Sequence, residues 1–302
     1  MKNPAEVLKQ YWGYASFRPL QEEIITSVLA QKDVLALMPT GGGKSLCFQV
    51  PGLCMEGLCL VISPLIALMK DQVSQLKEKG IAAEALHSGL SKRELDYLLD
   101  NAANSDLKFL YCSPERLQTT LFQERIKKVQ DLRGVSLIAV DEAHCISQWG
   151  FDFRPAYREI ASLREILPST PLIALTATAP PKVQTDIQEQ LQFKTGERFV
   201  KSFARPNLSY VVRIEEHKES RLIQALQKVQ GAAVVYGGTR RRVREIAIAL
   251  QNARISADYY HAGLTHQERI LKQENWMHNR VRVMVATNAF GMGIDKADVR
   301  MV

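Results

Sequence analysis

The chain has 302 residues, 46% of them hydrophobic and 24% charged, with 39 basic against 32 acidic side chains and a net charge of +7. Length and composition predict two globular domains, each with its own core, and exclude a disordered or fibrous chain. No apolar run approaches the ~18 residues of a membrane span, residues 1–6 lack an apolar leader, and the five scattered cysteines form no Cys-x-x-Cys pair. The expectation is a cytoplasmic protein with reduced, buried thiols and no zinc site. The positive charge permits a polyanion partner without naming one.

In chain order, residues 5–11 read as a short helix. An aromatic turn follows, with Tyr14, Phe17, Arg18 and Pro19. A second helix is expected with Ser16 as N-cap and Pro19 in its first turn, its inner face carrying Ile24, Ile25, Val28 and Leu29. Tyr14 can stack on a purine and the Gln21 amide can read its edge; a solvated turn with core aromatics fits the same residues.

Residues 34–37 are a buried strand and residues 46–50 open a helix. Between them runs Met38-Pro39-Thr40-Gly41-Gly42-Gly43-Lys44-Ser45. A strand, a glycine-rich turn and Gly-Lys-Ser opening a helix is the P-loop arrangement. Backbone N–H groups and the helix N-terminus would cradle phosphates, Lys44 would reach the β- and γ-phosphates, and Ser45 would hold Mg²⁺.

Strands follow at 58–62, 82–86 and 107–112, alternating with helices at 65–79 and 91–101. Two strands end in Ser-Pro, at Ser63 and Ser113, which fits an open parallel sheet or a plain turn. The strand at 135–140 delivers Asp141-Glu142-Ala143-His144. There Asp141 would bind Mg²⁺, Glu142 would act as general base on the attacking water, and His144 would sense the γ-phosphate or link to a neighbouring domain. Trp149, Phe151 and Phe153 then lie on a glycine-broken loop beside Arg154. Exposed aromatics next to a cation suit stacking on unpaired bases. The strand at 172–176 ends in Thr176 and Thr178, whose hydroxyls would contact the acidic motif or close a turn.

Residues 203–208 read as a linker, after which the strand–helix rhythm restarts. A strand at 232–236 leads through Thr239 into a helix at 240–250 whose start carries Arg240, Arg241, Arg242 and Arg244. Arginines there oppose the helix dipole, so they form a phosphate patch or a solvated face. Further strands at 257–260 and 281–286 flank a helix at 265–278. A second glycine-rich loop opens at Thr287 and suggests another contact to nucleotide or nucleic acid. A last strand begins at Val299, and the second domain is expected to be incomplete.

These motifs together resemble the helicase core of RecQ-family DNA helicases of superfamily 2, along essentially the whole chain. The aromatic-Gly-Tyr…Phe-Arg-Pro-x-Gln stretch resembles the family's adenine-recognition motif, which puts Tyr14, Arg18 and Gln21 at the base. Met38 to Ser45 resembles motif I, Ser63 to Gln72 motif Ia, Thr176 to Ala179 motif III, and Ala286 to Asp295 motif V. Asp-Glu-Ala-His with the aromatic loop after it resembles the family's most distinctive signature. The resemblance implies an α/β P-loop NTPase of two RecA-like lobes with parallel sheets, residues 1–202 and 203–302. It implies ATP and Mg²⁺ as cofactors. It also implies 3′-to-5′ translocation on single-stranded DNA and unwinding of duplexes with single-stranded tails.

The sequence departs from the family in three places. Ala204 stands where an acidic residue is usual, and Tyr236-Gly237-Gly238-Thr239 replaces the usual motif IV. The arginines of motif VI, one of them a finger worth about 10³–10⁵ in turnover, are not among these 302 residues. An ATP- and DNA-binding module without turnover, and a superfamily 2 RNA helicase, are the competing expectations.

Overall fold

The computed structural model describes residues 2–39, 41–87, 89–150, 152–194, 196–202, 207–291, 294 and 296–302. Thr40, Phe151, the linker residues 203–206 and residues 292, 293 and 295 of the second glycine-rich loop lie outside them. The chain divides into two compact units, Met1–Arg205 and Pro206–Val302.

The first unit begins with α1 (Pro4–Trp12) and α2 (Gln21–Leu29). Asn3 caps α1 by accepting from the Ala5 N–H, and Gly13 closes it in the left-handed conformation that a residue without Cβ adopts freely. The expected start of α2 is corrected. Neither Ser16 nor Pro19 belongs to its first turn, because Leu20 takes a left-handed backbone (φ 70°) and the helix starts at Gln21.

The unit continues through β1 (Asp33–Leu37), α3 (Leu46–Cys54), β2 (Leu58–Ile62), α4 (Ile66–Glu78), β3 (Ala83–Leu86), α5 (Lys92–Asn104), β4 (Phe109–Cys112), α6 (Thr120–Leu132) and β5 (Val135–Val140). It ends with α7 (Leu163–Ile166), β6 (Leu172–Thr176), α8 (Pro181–Gln190) and β7 (Gly196–Val200). Among the described residues these strands form one seven-stranded sheet, ordered β3-β4-β2-β5-β6-β1-β7 and parallel throughout.

The near-continuous apolar strands are what a parallel sheet covered on both faces requires. Alternation divides them between two cores. Leu35 and Leu37 join Leu60, Ile62, Ile138 and Val140 on one face, while Val34 and Ala36 join Cys59, Val61, Leu137 and Ala139 on the other. A buried ion pair, Arg164 to Asp33 at 2.7 Å, ties the sheet to α7. Asp33 also accepts from the N–H groups of Leu172 and Lys194.

The second unit holds α9 (Lys218–Lys228), β8 (Ala232–Tyr236), α10 (Arg240–Asn252), β9 (Ala257–Tyr260), α11 (His266–Met277), β10 (Val283–Ala286) and β11 (Val299–Met301). Its strands pair in parallel in the order β11-β8-β10-β9. The fold is thus α/β with a parallel sheet in each unit, as expected. The thiols of Cys47, Cys54, Cys59, Cys112 and Cys145 are free and buried.

Candidate nucleotide site and aromatic loop

In a parallel sheet all strands deliver their carboxyl ends to one edge, which is where ligands gather. Here β1 delivers the glycine-rich loop and β5 delivers the two carboxylates. The strand between them, β6, ends at Thr176. The Met38 N–H donates to the Thr176 carbonyl at 3.0 Å, so the loop starts anchored to β6.

The loop needs its glycines for two reasons. Gly43 has φ +78°, and a Cβ there would lie 2.3 Å from Gln21 Nε2. A Cβ on Gly42 would meet the Pro39 carbonyl at 2.7 Å. Ser45 follows at the N-cap position of α3 with a helical backbone, and its hydroxyl makes no capping bond. The hydroxyl therefore faces no competition from the helix it precedes.

Arg18 and Gln21 are committed to this loop. Arg18 Nη1 donates to the Gly41 carbonyl at 2.8 Å and Gln21 Nε2 to the Gly43 carbonyl at 3.0 Å. Gln21 Oε1 accepts from the Arg18 N–H at 2.9 Å. The buried Gln21 amide thus stitches the aromatic turn to the P-loop backbone, while the Tyr14 ring stays 49% exposed.

At the end of β5, Asp141 is buried and Glu142 half-buried. Burial, and then the charge of Glu142, push the Asp141 carboxyl up to about 6, against opposing pulls from Lys44 and His144. Glu142 is shifted the other way. Burial raises it, but the hydrogen bond from His144 and the Lys44 charge outweigh that and hold it below its ordinary value. Two adjacent carboxyls are therefore set apart in proton affinity, and Lys44 acts on both.

Glu142 also has a left-handed backbone, φ 47°, a conformation that costs a non-glycine residue about 1–3 kcal/mol and is retained where geometry matters. Two bonds hold the corner: the Glu142 N–H donates to Asp141 Oδ1 at 3.0 Å, and Tyr157 Oη donates to the Asp141 carbonyl at 2.8 Å. His144 Nδ1 lies 2.9 Å from Thr176 Oγ1 and 3.3 Å from Glu142 Oε2. The expected contact to the acidic motif is made by Thr176, whose hydroxyl also closes the turn, lying 3.2 Å from the Thr178 carbonyl and 3.3 Å from the Thr178 N–H.

The loop after the acidic motif leaves Trp149 64% exposed, with Lys182 Nζ 3.1 Å from its ring centroid. The Phe153 ring lies under the Arg158 guanidinium at 5.2 Å. Arg154 donates to the Pro64 carbonyl and pairs with Asp152. Sequence reasoning missed Lys182, and it placed Tyr157 in the aromatic-rich segment without its bond to the acidic corner. Nothing local marks Lys182, because it reaches the loop from α8, further along the chain.

In the second unit Thr239 caps α10, accepting from the Arg242 N–H at 3.1 Å. Of the four clustered arginines, Arg241 pairs with Glu245, Arg242 with Glu219 and Glu245, and Arg244 lies over the Tyr259 ring at 5.0 Å. Arg240 is exposed and, among the described residues, pairs with no carboxylate, so the patch narrows to it. Thr287 follows β10 half-buried, its N–H donating to the Tyr260 carbonyl.

A glycine-bordered loop leading from a parallel strand into a helix, with carboxylates at the same sheet edge, defines the first unit as a P-loop nucleotide-binding lobe. A family profile described as DEAD/DEAH box helicase matches residues 18–187, and one described as helicase conserved C-terminal domain matches residues 217–302. The chain belongs to the DEAD/DEAH box helicase family. Its resemblance to the RecQ group holds in its relatives. It is 43% identical to the probable ATP-dependent DNA helicase RecS of Bacillus subtilis, over 98% of this chain and 60% of that protein. It is 43% identical to the ATP-dependent DNA helicase RecQ of Haemophilus influenzae, over 98% of this chain and 47% of that protein. The chain therefore spans about half to three-fifths of these relatives. The crystal structure of the DUF1998 helicase MrfA bound to DNA and AMPPNP shares the fold, with a TM-score of 0.78 at 18% identity over 100% of this chain and 46% of that one. Among the described residues, no helix is long and apolar enough to cross a membrane.

Proposed function

We propose that the chain is the motor core of an ATP-dependent DNA helicase of RecQ type, working in the cytoplasm or on the nucleoid. Its two RecA-like lobes would be residues 1–202 and 203–302, a division supported by the two compact units. The observation that carries the reading is the set at one sheet edge: Lys44 acting on both Asp141 and Glu142, with His144 bridging Glu142 to Thr176.

The residues fit ATP with Mg²⁺. Ser45 offers a hydroxyl free of capping duty, and Asp141 is a buried carboxylate whose charge burial disfavours, which a cation would stabilise. Bound Mg²⁺ would neutralise phosphate charge. Gly41, Gly42 and Gly43 would form the phosphate loop, with the Gly42 N–H held by the Pro39 carbonyl at 2.9 Å; Lys44 would pair with the phosphates, and Tyr14, Arg18 and Gln21 would frame the base. Thr40 completes the set from outside the described residues. Glu142, held ionised by His144, orients and deprotonates the attacking water.

His144 reports the state of that site to β6 through Thr176. The aromatic loop begins one residue later, so nucleotide state and base stacking are neighbours in sequence. Trp149 and Phe153, with Phe151 outside the described residues, stack on bases, and Arg154, Thr239, Arg240 and Thr287 serve the backbone. The partner is single-stranded DNA, reached from duplexes with single-stranded tails, and movement runs 3′ to 5′.

The test is ATP turnover by the chain with and without single-stranded DNA, beside single-stranded RNA. Stimulation by DNA, abolished in Glu142→Gln, is expected. Stimulation by RNA alone would move the substrate class, and ATP binding without any turnover would reduce the chain to a binding module.

A further inference from the structure

The sequence led us to expect no zinc site at the cysteines, because none is paired with another. The fold gives Cys145 different company. Its Sγ lies 3.8 Å from His144 Nε2 and 3.8 Å from Asp152 Oδ2, and the three atoms all lie within 4.8 Å of one another. A tetrahedral zinc ion with bonds of about 2.0–2.3 Å holds its ligand atoms about 3.3–3.8 Å apart. Two edges of such a site already have that length. The third closes by movement of Asp152, whose side chain is 46% exposed.

The other face of the imidazole strengthens the case. With its proton on Nδ1, His144 faces both the Thr176 hydroxyl and the Glu142 carboxylate, and its Nε2 lone pair is left toward the thiol. A metal-bound histidine characteristically gives its second N–H to a carboxylate, and here that partner is in place before any metal arrives. Arg154 shares the Oδ2 end of Asp152, so the second carboxylate oxygen is the one that keeps that ion pair once Oδ2 turns to a metal.

We propose that His144, Cys145 and Asp152 form a binding site for a borderline-soft divalent cation of the zinc class, with water as fourth ligand. Binding exchanges the thiol proton, released to solvent, for the cation. An occupied site pins Asp152 to the acidic motif and fixes His144 against Glu142. Occupancy then slows turnover. The binding does not rest on the helicase reading; only its effect on turnover does.

The probe is cadmium, titrated into the full chain and followed by its sulfur-to-metal charge-transfer absorption. One equivalent is expected, absent in Cys145→Ser and weakened about tenfold or more in Asp152→Asn. The Asp152→Asn arm stands if the buried serine variant fails to fold. A chain with no charge-transfer band, a band that survives in Cys145→Ser, or an unchanged affinity in Asp152→Asn overturns the site. Zinc that slows ATP turnover of the chain but not of Asp152→Asn supports the coupling. Tight cadmium binding without any effect of zinc on turnover overturns the coupling alone.

Discussion

At the residue scale the acidic corner sets two measurable expectations. With Glu142 proposed as the base, Glu142→Gln should lower DNA-stimulated turnover by about 10²–10⁴ while ATP binding survives, measured by phosphate release and nucleotide titration. Asp141 carries the pH dependence. Its folded value, about 6, lies above the ordinary 3.8, so between those values the folded state binds more protons than the unfolded one. Stability from this group therefore falls as pH rises through that window, and above it the buried charge costs about 3 kcal/mol. Mg²⁺ should raise the melting temperature at pH 8 and much less at pH 5, where a proton competes for the carboxylate. Asp141→Asn should stabilise the metal-free chain at pH 8 and remove the Mg²⁺ response. A metal-free Asn variant no more stable than the parent would show that the penalty is not there.

At the element scale two connections decide whether the site exists. Gln21 joins the start of α2 to the P-loop, and Gln21→Ala leaves the Arg18 N–H and the Gly43 carbonyl without that partner. A loss of about 1–3 kcal/mol in denaturant unfolding is expected, together with weaker ATP binding. The Arg164–Asp33 pair joins α7 to the start of β1, and Arg164→Met would strand a buried carboxylate. Urea unfolding should report a loss of about 3–5 kcal/mol, and a variant within 1 kcal/mol of the parent (about fivefold in the folding constant) would contradict that account. Element types were legible where strands were continuously apolar and loops glycine-rich. Helix α6, which carries Phe122, Ile126 and Val129 on its buried face, was not among the expected elements. The start of α2 was not legible. Ser16 and Pro19 are good local signals, but the Gln21 amide is held by a loop more than twenty residues away, and that bond sets where the helix begins.

At the scale of the whole molecule, charge governs the partner. The two cationic contacts, Arg154 and Arg240, would give single-stranded DNA binding a slope near −1.4 in log–log salt, or about sevenfold between 50 and 200 mM. Fluorescence anisotropy of a labelled oligonucleotide measures it, and a flat salt profile would remove both arginine side chains from the interface. Arg240→Ala should reduce the slope by nearly one phosphate, whereas Arg241→Ala, which only breaks its pair with Glu245, should leave it unchanged.

Local chemistry along the chain determined the P-loop, the carboxylates after their strand, the aromatic loop and the two-unit α/β rhythm. Each needs only neighbours in sequence: glycines where the backbone turns back on itself, apolar runs where both faces of a strand are covered, a hydroxyl where a helix opens. The tertiary structure alone decided the rest. It placed Thr176 between β1 and β5, brought Tyr157 and Lys182 to their partners, and spent three of four clustered arginines on ion pairs and a ring. It also set His144 and Cys145 beside Asp152. Those outcomes depend on sheet order and on side chains meeting across elements, and neither is encoded in the spacing of residues along the chain.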